Sequence, residues 1–197
     1  MIDDCTALIL AGGESRRMGR DKATLTLGGD TLLQRALAAM RALFPAVLVS
    51  VRETRADIDV PQVADEIPAA GPLAGLCAGL RHARTPWVFA VAVDMPFLPA
   101  RTVERLAALR PDHRAVVPVC GGHTQSLCAF YAAAALPALE AALTGGDARS
   151  LHGALASLDN VRYVDEAALR ELDAGPDDFF DLDTPEDLAA ARRLLHP

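Results

Sequence analysis

Short apolar runs alternate with stretches of helical periodicity along the first half of the chain. The runs at residues 6–11, 47–51 and 87–93 predict buried strands, because they are short, continuous and bounded by turn residues. Apolar residues recur at helical spacing over residues 32–43 and 73–83, which predicts two helices between these strands. Strands and helices that alternate in this way are typical of an α/β protein with a mostly parallel sheet covered on both faces.

The alternation continues less regularly to the end of the chain. Further strands are predicted at residues 59–63, 115–119, 127–132 and 161–164, and further helices at 102–109, 136–143, 150–158 and 182–195. The last helix contains Asp183-Thr184-Pro185-Glu186 at its start, which combines a capping residue, a first-turn proline and an acidic side chain. Since no repeat and no long linker divides the sequence, we expect one domain.

Composition excludes several functional classes. Of the 197 residues, 51% are hydrophobic and 23% are charged, so the chain can bury a sizeable core and is neither disordered nor a disulfide-stapled peptide. The net charge of −7 argues against nucleic acid or an anionic membrane as a partner, and no apolar run approaches the ~20 residues of a transmembrane helix. Met1-Ile2-Asp3-Asp4 lacks the basic region of a secretory signal, so we expect a cytoplasmic protein. Without a CxxC or HExxH motif, a zinc site is not expected, and the cysteines are interpreted as buried thiols.

A glycine pair follows the first predicted strand directly, where open α/β sheets bind ligands. Gly12 and Gly13 allow main-chain N–H groups to approach phosphate oxygens, and four basic side chains follow between residues 16 and 22. Lys22 is the only lysine among the 19 basic residues. Polyphosphate is the simplest ligand for such a loop, although the spacing is neither that of a Walker loop nor G-x-G-x-x-G. A surface turn with solvated arginines is the competing interpretation.

A carboxylate, Asp94, follows the predicted strand at 87–93. A lone carboxylate at the end of an apolar strand is costly to bury unless it is hydrogen-bonded or binds a cation. Mg²⁺ that arrives with a nucleotide triphosphate satisfies this requirement, because the ion is usually held by one or two carboxylates together with phosphate oxygens and water. The alternative is a structural role for Asp94 in the turn before Pro96.

Residues 10–22, LAGGESRRMGRDK, resemble the signature L-A-G-G-x-S-x-R-M-G-x-D-K of the molybdenum cofactor guanylyltransferases. Three later segments are similar to further motifs of that family: GPLAG at 71–75, DMPFL at 94–98, and DLDTPEDL at 181–188 for N-x-N-T-P-E-D-L. Asp181 and Asp183 stand in place of the two asparagines of the last motif. The resemblance covers nearly the whole chain and implies the three-layer, Rossmann-like fold of the nucleotidyltransferases. It also implies a single domain over residues 1–197, with a nucleotide- and metal-binding half of about 1–98 and an acceptor-binding half of about 99–197.

The activity that this resemblance implies is transfer of GMP from GTP to the terminal phosphate of molybdenum-molybdopterin, with Mg²⁺ as cofactor. The products are molybdopterin guanine dinucleotide and pyrophosphate. The catalytic residues are then Lys22 and Arg16, which stabilise the α-phosphoryl group and the leaving pyrophosphate, and Asp94, which holds the metal. The implied nucleotide-binding residues are Leu10, Ala11, Gly12, Gly13, Lys22, Asp65 and Asp94.

The resemblance implies that Asp65 contacts the nucleotide, because it stands at the position of an aspartate with that role in the family. A carboxylate suits the base, since it can accept the adjacent N1–H and N2–H₂ donors of guanine together. A solvated loop aspartate is the alternative. Ser50-Val51-Arg52 stands where relatives often carry an asparagine, so the base or ribose contact at this place is left open. For the acceptor, the candidate residues are Gln125, Arg149 and Asp183.

Two other functions remain open at this point. One is a sister enzyme, a CTP:molybdopterin cytidylyltransferase or a sugar-phosphate nucleotidyltransferase, although Gly13 favours the guanylyl branch because such relatives often carry alanine there. The other is a non-catalytic nucleotide-binding or scaffold protein for cofactor delivery, against which Lys22 and Asp94 argue. The expected partners are GTP, molybdenum-molybdopterin, and cofactor-assembly and delivery proteins, without nucleic acid or membrane.

Overall fold

The computed structural model describes residues 1–12, 21–64, 71–145 and 150–195. In these ranges the strands are β1 Cys5–Leu10, β2 Thr26–Leu27, β3 Asp30–Thr31, β4 Ala46–Val51, β5 Gln62–Ala64, β6 Trp87–Ala92, β7 Ala115–Cys120, β8 His123–Thr124, β9 Cys128–Ala132 and β10 Val161–Val164. The α-helices are α1 Leu32–Leu43, α2 Gly71–His82, α3 Ala100–Ala107, α4 Leu136–Thr144, α5 Leu151–Ser157, α6 Glu166–Glu171 and α7 Pro185–Leu195. Short 3₁₀ turns are Lys22–Thr24, Ala133–Ala135 and Pro176–Phe179.

Eight of these strands form one sheet in the order β10-β7-β9-β6-β1-β4-β5, with β8 paired to β7. The pairs β6-β1, β1-β4, β4-β5 and β10-β7 are parallel. Strand β9 is antiparallel to both of its neighbours, β6 and β7. The strands β2 and β3 form a separate hairpin. The sheet therefore takes strands from both halves of the chain.

Helices cover both faces of the sheet. Alternate side chains of β1 point to opposite faces, so Ala7 and Ile9 belong to a core that also contains residues of α1, α3, α6 and α7. Leu8 and Leu10 belong to a second core with residues of α2, α4 and α5. The structure thus has three layers, which confirms the α/β fold class predicted from the sequence.

Local signals in the sequence set several helix boundaries. Helix α1 begins after Thr31, whose Oγ1 accepts the N–H of Gln34 at 3.1 Å, while Gln34 Oε1 accepts the N–H of Thr31 at 2.8 Å. Such a capping box satisfies two donors that a helix start would otherwise leave unpaired. The helix covers Leu32–Leu43, as its periodicity predicts.

The carboxyl ends of the parallel strands β1, β4 and β6 meet at one edge of the sheet. Because β9 runs in the opposite direction, its first residues reach the same edge: Cys128 pairs with Val91 of β6, and the N–H of Ala92 donates to the carbonyl oxygen of Leu127 at 2.9 Å. The antiparallel strand therefore brings the segment before residue 128 beside the residues that follow β6.

Several elements differ from the sequence-based predictions. The strand predicted at 59–63 is observed as β5, Gln62–Ala64, and the helix predicted from residue 182 begins at Pro185. The strands β2, β3 and β8 are not predicted by the sequence, because each has only two residues and is too short to show a period. Helix α6 was also missed, although Asp165 caps it by accepting the N–H of Ala168 at 2.9 Å. Among the residues that the structure describes, no helix is long and apolar enough to cross a membrane.

Candidate active site

Strand β1 ends at the carboxyl edge of the sheet, where the glycine motif, residues 10–22, begins. Leu10 is the last residue of the strand, and its carbonyl oxygen accepts the N–H of Val93 at 3.2 Å. Ala11 follows, and its N–H donates to the carbonyl oxygen of Ser50 at 2.9 Å. These two hydrogen bonds place Leu10 and Ala11 between the ends of β4 and β6.

Lys22 lies between two carboxylates. It opens a 3₁₀ turn that Asp21 caps, because Asp21 Oδ1 accepts the N–H of Ala23 at 3.0 Å. The ammonium Nζ of Lys22 donates to Asp94 Oδ2 and to Asp183 Oδ1, each at 2.6 Å. The side chains of Lys22 and Asp94 are each 16% exposed, and that of Asp183 is 45% exposed. The three residues form a bridge that water reaches mainly from the side of Asp183.

The two carboxylates of this bridge come from distant parts of the chain. Asp94 follows β6 by two residues, and its carbonyl oxygen accepts the N–H of the fully buried Leu182 at 3.0 Å. Asp187, in the first turn of α7, accepts the N–H of Asp183 at 3.1 Å and that of Thr184 at 2.7 Å. The main chain around Asp183 is therefore fixed to the end of β6 on one side and to α7 on the other.

The bridge determines the electrostatics of the site. Burial disfavours the ammonium of Lys22, but its hydrogen bonds to Asp183 and Asp94 and the charges of these carboxylates outweigh burial and raise the pKa of Lys22 above its ordinary value. Burial, followed by repulsion from Asp183 and Asp94, raises the pKa of Asp181. Lys22 is thus charged at neutral pH and contacts two carboxylates, with Asp181 as a further acidic side chain in their vicinity.

A pocket of about 270 Å³ opens beside this bridge. Its walls are formed by Ala92, Asp94, Met95, Thr124, Gln125, Ser126, Leu127, Asp181 and Asp183. Two hydrogen bonds fix the main chain of the wall formed by Gln125 and Ser126. The N–H of Gln125 donates to the carbonyl oxygen of Pro118 at 2.8 Å, and the hydroxyl of the buried Tyr131 donates to the carbonyl oxygen of Ser126 at 2.8 Å. The pocket therefore offers carboxylate, amide and hydroxyl groups to a polar ligand.

The structure brings together several of the residues expected from the sequence. Lys22, Asp94 and Asp183 contact one another, and Gln125 shares a pocket with the two carboxylates. Gly12 follows Ala11 at the end of β1. Four other expected residues lie outside the described part of the chain, namely Gly13, Arg16, Asp65 and Arg149.

Two carboxylates of the site have the chemistry of magnesium ligands. Within the described ranges, no group of three or more His, Cys, Asp or Glu side chains is arranged to hold a metal ion. Asp94 and Asp183, however, direct hard oxygen donors at one point, the Nζ atom of Lys22. Mg²⁺ in nucleotide sites commonly uses only one or two carboxylates, and phosphate oxygens and water complete its shell. The pair fits an ion that binds together with phosphate.

Comparison with known proteins agrees with this geometry. A family model described as the MobA-like NTP transferase domain matches residues 7–161. The molybdenum cofactor guanylyltransferase of Vibrio cholerae serotype O1 is 33% identical to this chain, over 98% of the chain and 94% of its own length. That of Rhizobium johnstonii is 36% identical, over 95% and 91%. The chain belongs to the molybdenum cofactor guanylyltransferase family.

A solved structure supports the same assignment to the molybdenum cofactor guanylyltransferase family. The molybdopterin-guanine dinucleotide biosynthesis protein A of Archaeoglobus fulgidus superposes with a TM-score of 0.83 at 27% identity, over 96% of this chain and 98% of that one. These matches confirm the resemblance that the motifs indicated. The chain is accordingly a nucleotidyltransferase.

Two arginines outside the family motifs contact the glycine motif, one near its start and one near its end. Arg52, after β4, donates through Nε to the carbonyl oxygen of Gly12 at 2.5 Å. Arg55 donates through Nη1 to Asp21 Oδ2 at 2.9 Å, and it also binds Asp57 at 2.7 Å. No sequence signal pointed to these contacts, because they join positions 34 to 40 residues apart.

A second group outside the guanylyltransferase motifs supports the Asp183 segment. Asp178 is 9% exposed and accepts a hydrogen bond from the buried hydroxyl of Thr102 at 2.6 Å. Arg101 donates to its other oxygen at 3.4 Å. The ring of Phe180 lies 6.2 Å from that of Phe97. The segment after Asp94 is thus joined to the segment before Asp183 by side chains as well as by the main chain.

Proposed function

We propose that this protein transfers GMP from GTP to the terminal phosphate of molybdenum-molybdopterin, giving molybdopterin guanine dinucleotide and pyrophosphate in a Mg²⁺-dependent reaction. The observation that carries the proposal is the meeting of Lys22, Asp94 and Asp183 beside a polar pocket, in a member of the molybdenum cofactor guanylyltransferase family. A binding protein without catalysis has no need of an ammonium held between two carboxylates that border a polar pocket.

The nucleoside triphosphate binds at the carboxyl edge of β1, where we assign its phosphates to the main-chain N–H groups of Gly12 and Gly13, and we assign Leu10 and Ala11 to the same nucleotide-binding site. Gly12 does not have a positive φ, and a Cβ there makes only ordinary contact with Arg52 at 3.5 Å, so close approach of a ligand is the reason that we give for its glycine. We assign guanine to Asp65, which can accept two adjacent donors of this base.

Mg²⁺ would be held by Asp94, with Asp183 as the second carboxylate. One oxygen of each carboxylate lies 2.6 Å from Lys22 Nζ, which supports this assignment. The bound ion would neutralise charge on the phosphates and on the leaving pyrophosphate. The main-chain hydrogen bond from Leu182 to Asp94 holds the two chain segments that bear these carboxylates next to each other.

The residues of the chain act by position and charge. An oxygen of the terminal phosphate of the acceptor attacks the α-phosphorus of GTP, and the bond from that phosphorus to the oxygen bridging to the β-phosphate breaks. Pyrophosphate leaves with the bonding electron pair. Lys22 and Arg16 stabilise the additional negative charge of the transition state, and no covalent intermediate with the protein is required.

The acceptor occupies the pocket in front of Asp94. Gln125 and Asp183 line it: the amide of Gln125 can donate to a pterin carbonyl group and accept from an amino group, and the carboxylate of Asp183 can accept from an amino group. We assign Arg149 to the same ligand as a partner for its phosphate. The pocket borders the carboxylates, so an acceptor phosphate there would lie next to the bound nucleotide. We further propose that cofactor-assembly and delivery proteins supply the acceptor and receive the product.

Release of pyrophosphate by the purified protein tests this function. We expect release that requires GTP, Mg²⁺ and molybdopterin loaded with molybdenum together, and a loss of about 10²- to 10³-fold in turnover in Asp94→Ala. Asp30→Ala is the matched control, because Asp30 is an exposed carboxylate on the β2-β3 hairpin. Absence of Mg²⁺-dependent pyrophosphate release from the wild-type protein rejects the proposal, and full turnover in Asp94→Ala rejects the metal assignment.

Competition between nucleotides separates the guanylyltransferase from its sister enzymes. GTP with Mg²⁺ should raise the melting temperature more than CTP or UTP with Mg²⁺ does, since a ligand that binds only the native state stabilises it more when its affinity is higher. A larger rise with CTP or UTP indicates a cytidylyl or sugar-phosphate nucleotidyltransferase instead.

A further inference from the structure

The ammonium of Lys22 occupies the point on which Asp94 and Asp183 converge. Both of its hydrogen bonds are 2.6 Å long, at the short end for charge-assisted bonds, and Lys22 and Asp94 are largely shielded from water. A divalent cation bound by the two oxygens that contact Nζ would take the same place. The lysine and the metal therefore compete for one site when no nucleotide is present.

We propose that Lys22 is the resident cation of the nucleotide-free site, and that the triphosphate makes the site available to the divalent metal by drawing the ammonium onto its phosphates. This inference rests on the proposed function and its metal site, and it adds the order in which the ligands enter. In the free protein the metal binds weakly, and with nucleotide present it binds tightly.

The carboxylates stay together without the lysine, so removing Lys22 leaves a cation site rather than two separate groups. Asp94 is tied through its carbonyl oxygen to Leu182, the residue before Asp183. Asp183 is fixed by its main-chain contact with Asp187. Neither contact involves the side chain of Lys22. Two carboxylates within reach of one point, freed of their ammonium, attract a divalent cation more strongly than the bridged pair does.

Charge and coordination explain why the metal alone competes poorly. The bridge carries a net charge of −1, because one ammonium offsets one of the two carboxylates. Mg²⁺ gives up its water reluctantly and, among the residues that the structure describes, gains only these two carboxylates. To bind them it must also expel an ammonium that has two short hydrogen bonds. In the absence of nucleotide, Mg²⁺ therefore gains little free energy by binding to these two carboxylates.

A triphosphate changes this balance. Its oxygens are strong acceptors for an ammonium, and lysine binds phosphate as a point charge. When Lys22 turns to the phosphates, Asp94 and Asp183 each lose a hydrogen bond to its ammonium at the moment when phosphate oxygens become available to complete the metal shell. Nucleotide and metal then raise each other's affinity by the same factor, as linkage requires. Lys22 is the residue through which that coupling acts.

Binding of Mn²⁺ to the nucleotide-free protein tests the competition directly. Free Mn²⁺ is followed by electron paramagnetic resonance during titration of wild type, Lys22→Gln, and the double variant with Asp183→Asn. We expect Lys22→Gln to bind Mn²⁺ at least about tenfold more tightly than wild type, and the double variant to lose this gain. Arg41→Gln is the matched control, because it removes one positive charge from an exposed ion pair with Asp59. Its affinity for Mn²⁺ should equal that of wild type.

A thermal melt keeps the test decisive if Lys22→Gln is less stable than wild type. Mn²⁺ should then raise the melting temperature of Lys22→Gln more than that of wild type. Equal or weaker binding of Mn²⁺ by Lys22→Gln, together with no larger thermal shift, overturns the proposal. Neither measurement contains nucleotide or pterin. A failure of pyrophosphate release therefore rejects the proposed function, whereas a failure of the Mn²⁺ competition rejects only the role of Lys22 as the resident cation.

Discussion

The main-chain N–H of Leu182 donates to the carbonyl oxygen of Asp94 over 3.0 Å, and this one contact joins the last loop of the fold to the end of β6. Asp183, the next residue, thereby reaches Lys22, which lies 161 positions earlier in the chain. The first and last motifs of the sequence thus form one site with the motif between them. A parallel sheet makes this possible because the carboxyl ends of β1 and β6 lie side by side.

Replacement of Lys22 by arginine should preserve the fold and remove most of the activity. The ammonium forms 2.6 Å contacts with two carboxylates, and the side chains of Lys22 and Asp94 are each only 16% exposed. A planar guanidinium on a longer side chain cannot place one nitrogen at the same point. We expect turnover in the GTP reaction to fall by about 10²- to 10³-fold in Lys22→Arg, with a melting temperature close to that of wild type. Near wild-type turnover would show that any cation suffices at this position.

The sequence predicts the residues of the site, Lys22, Asp94 and Asp183, but not the contacts between them. The strand that ends at Leu10 and the apolar run before Asp94 were readable because buried parallel strands are continuous hydrophobic runs. Their adjacency follows from topology, which the alternation of strands and helices predicts. The pairing of Lys22 with Asp183 had no local signal, since it depends on how the loop before α7 returns to β6.

The acceptor side was less predictable for a physical reason. The sequence predicts a strand at 127–132 but does not give its direction, and β9 proves to be antiparallel within an otherwise mostly parallel sheet. Only that direction brings Gln125 beside Asp94. The buried Asp178, which joins α3 to the segment before Asp183, was likewise invisible, because an aspartate in a polar loop is ordinarily solvated.

Removal of the Arg55 side chain should weaken binding of GTP more than it slows the reaction. Arg55 holds Asp21, which caps the turn that begins with Lys22, so its loss leaves this turn less rigid. The ion pair is partly exposed and is worth at most about 1 kcal/mol, which corresponds to a rise of no more than about fivefold in the KM for GTP in Arg55→Gln. Initial rates over a range of GTP concentrations measure this change.

The control for Arg55 is Arg41→Gln, which removes a mostly exposed arginine that pairs with Asp59 before β5. We expect its KM and kcat to match those of wild type. A tenfold or larger fall in kcat for Arg55→Gln would contradict a positioning role and would indicate direct contact with the reacting groups.

All four thiols should be unreactive in the native protein. Cys5, Cys77, Cys120 and Cys128 are free and buried, as the sequence predicted. Burial raises the pKa of Cys5 to about 12 and those of Cys77 and Cys120 to about 11, and it raises the pKa of Cys128 further, so none is a thiolate at neutral pH. A chromogenic disulfide reagent should titrate four thiols in denaturant and none rapidly in buffer. Fast labelling of any one in buffer would show that its surroundings open in the native state.

Substitution of Gly79 by alanine should destabilise the fold through the contact between α2 and β1. A Cβ at this position would lie 2.3 Å from Leu8 Cδ2 and 2.7 Å from Leu8 Cδ1, and Leu8 is fully buried in the central strand. Overpacking of this kind costs ~1–3 kcal/mol, partly offset by a helix propensity gain of about 1 kcal/mol for alanine over glycine.

We therefore expect the free energy of unfolding of Gly79→Ala, from urea titration, to fall by about 1 kcal/mol and by no more than about 2 kcal/mol, with an unchanged m-value. Gly175→Ala is the matched control, because its φ of −141° suits any residue and no atom lies within 4 Å of the added Cβ. Its stability should stay within about 0.5 kcal/mol of wild type. Equal stability of the two variants would mean that Leu8 can move aside, and that the close approach of α2 to β1 does not require glycine.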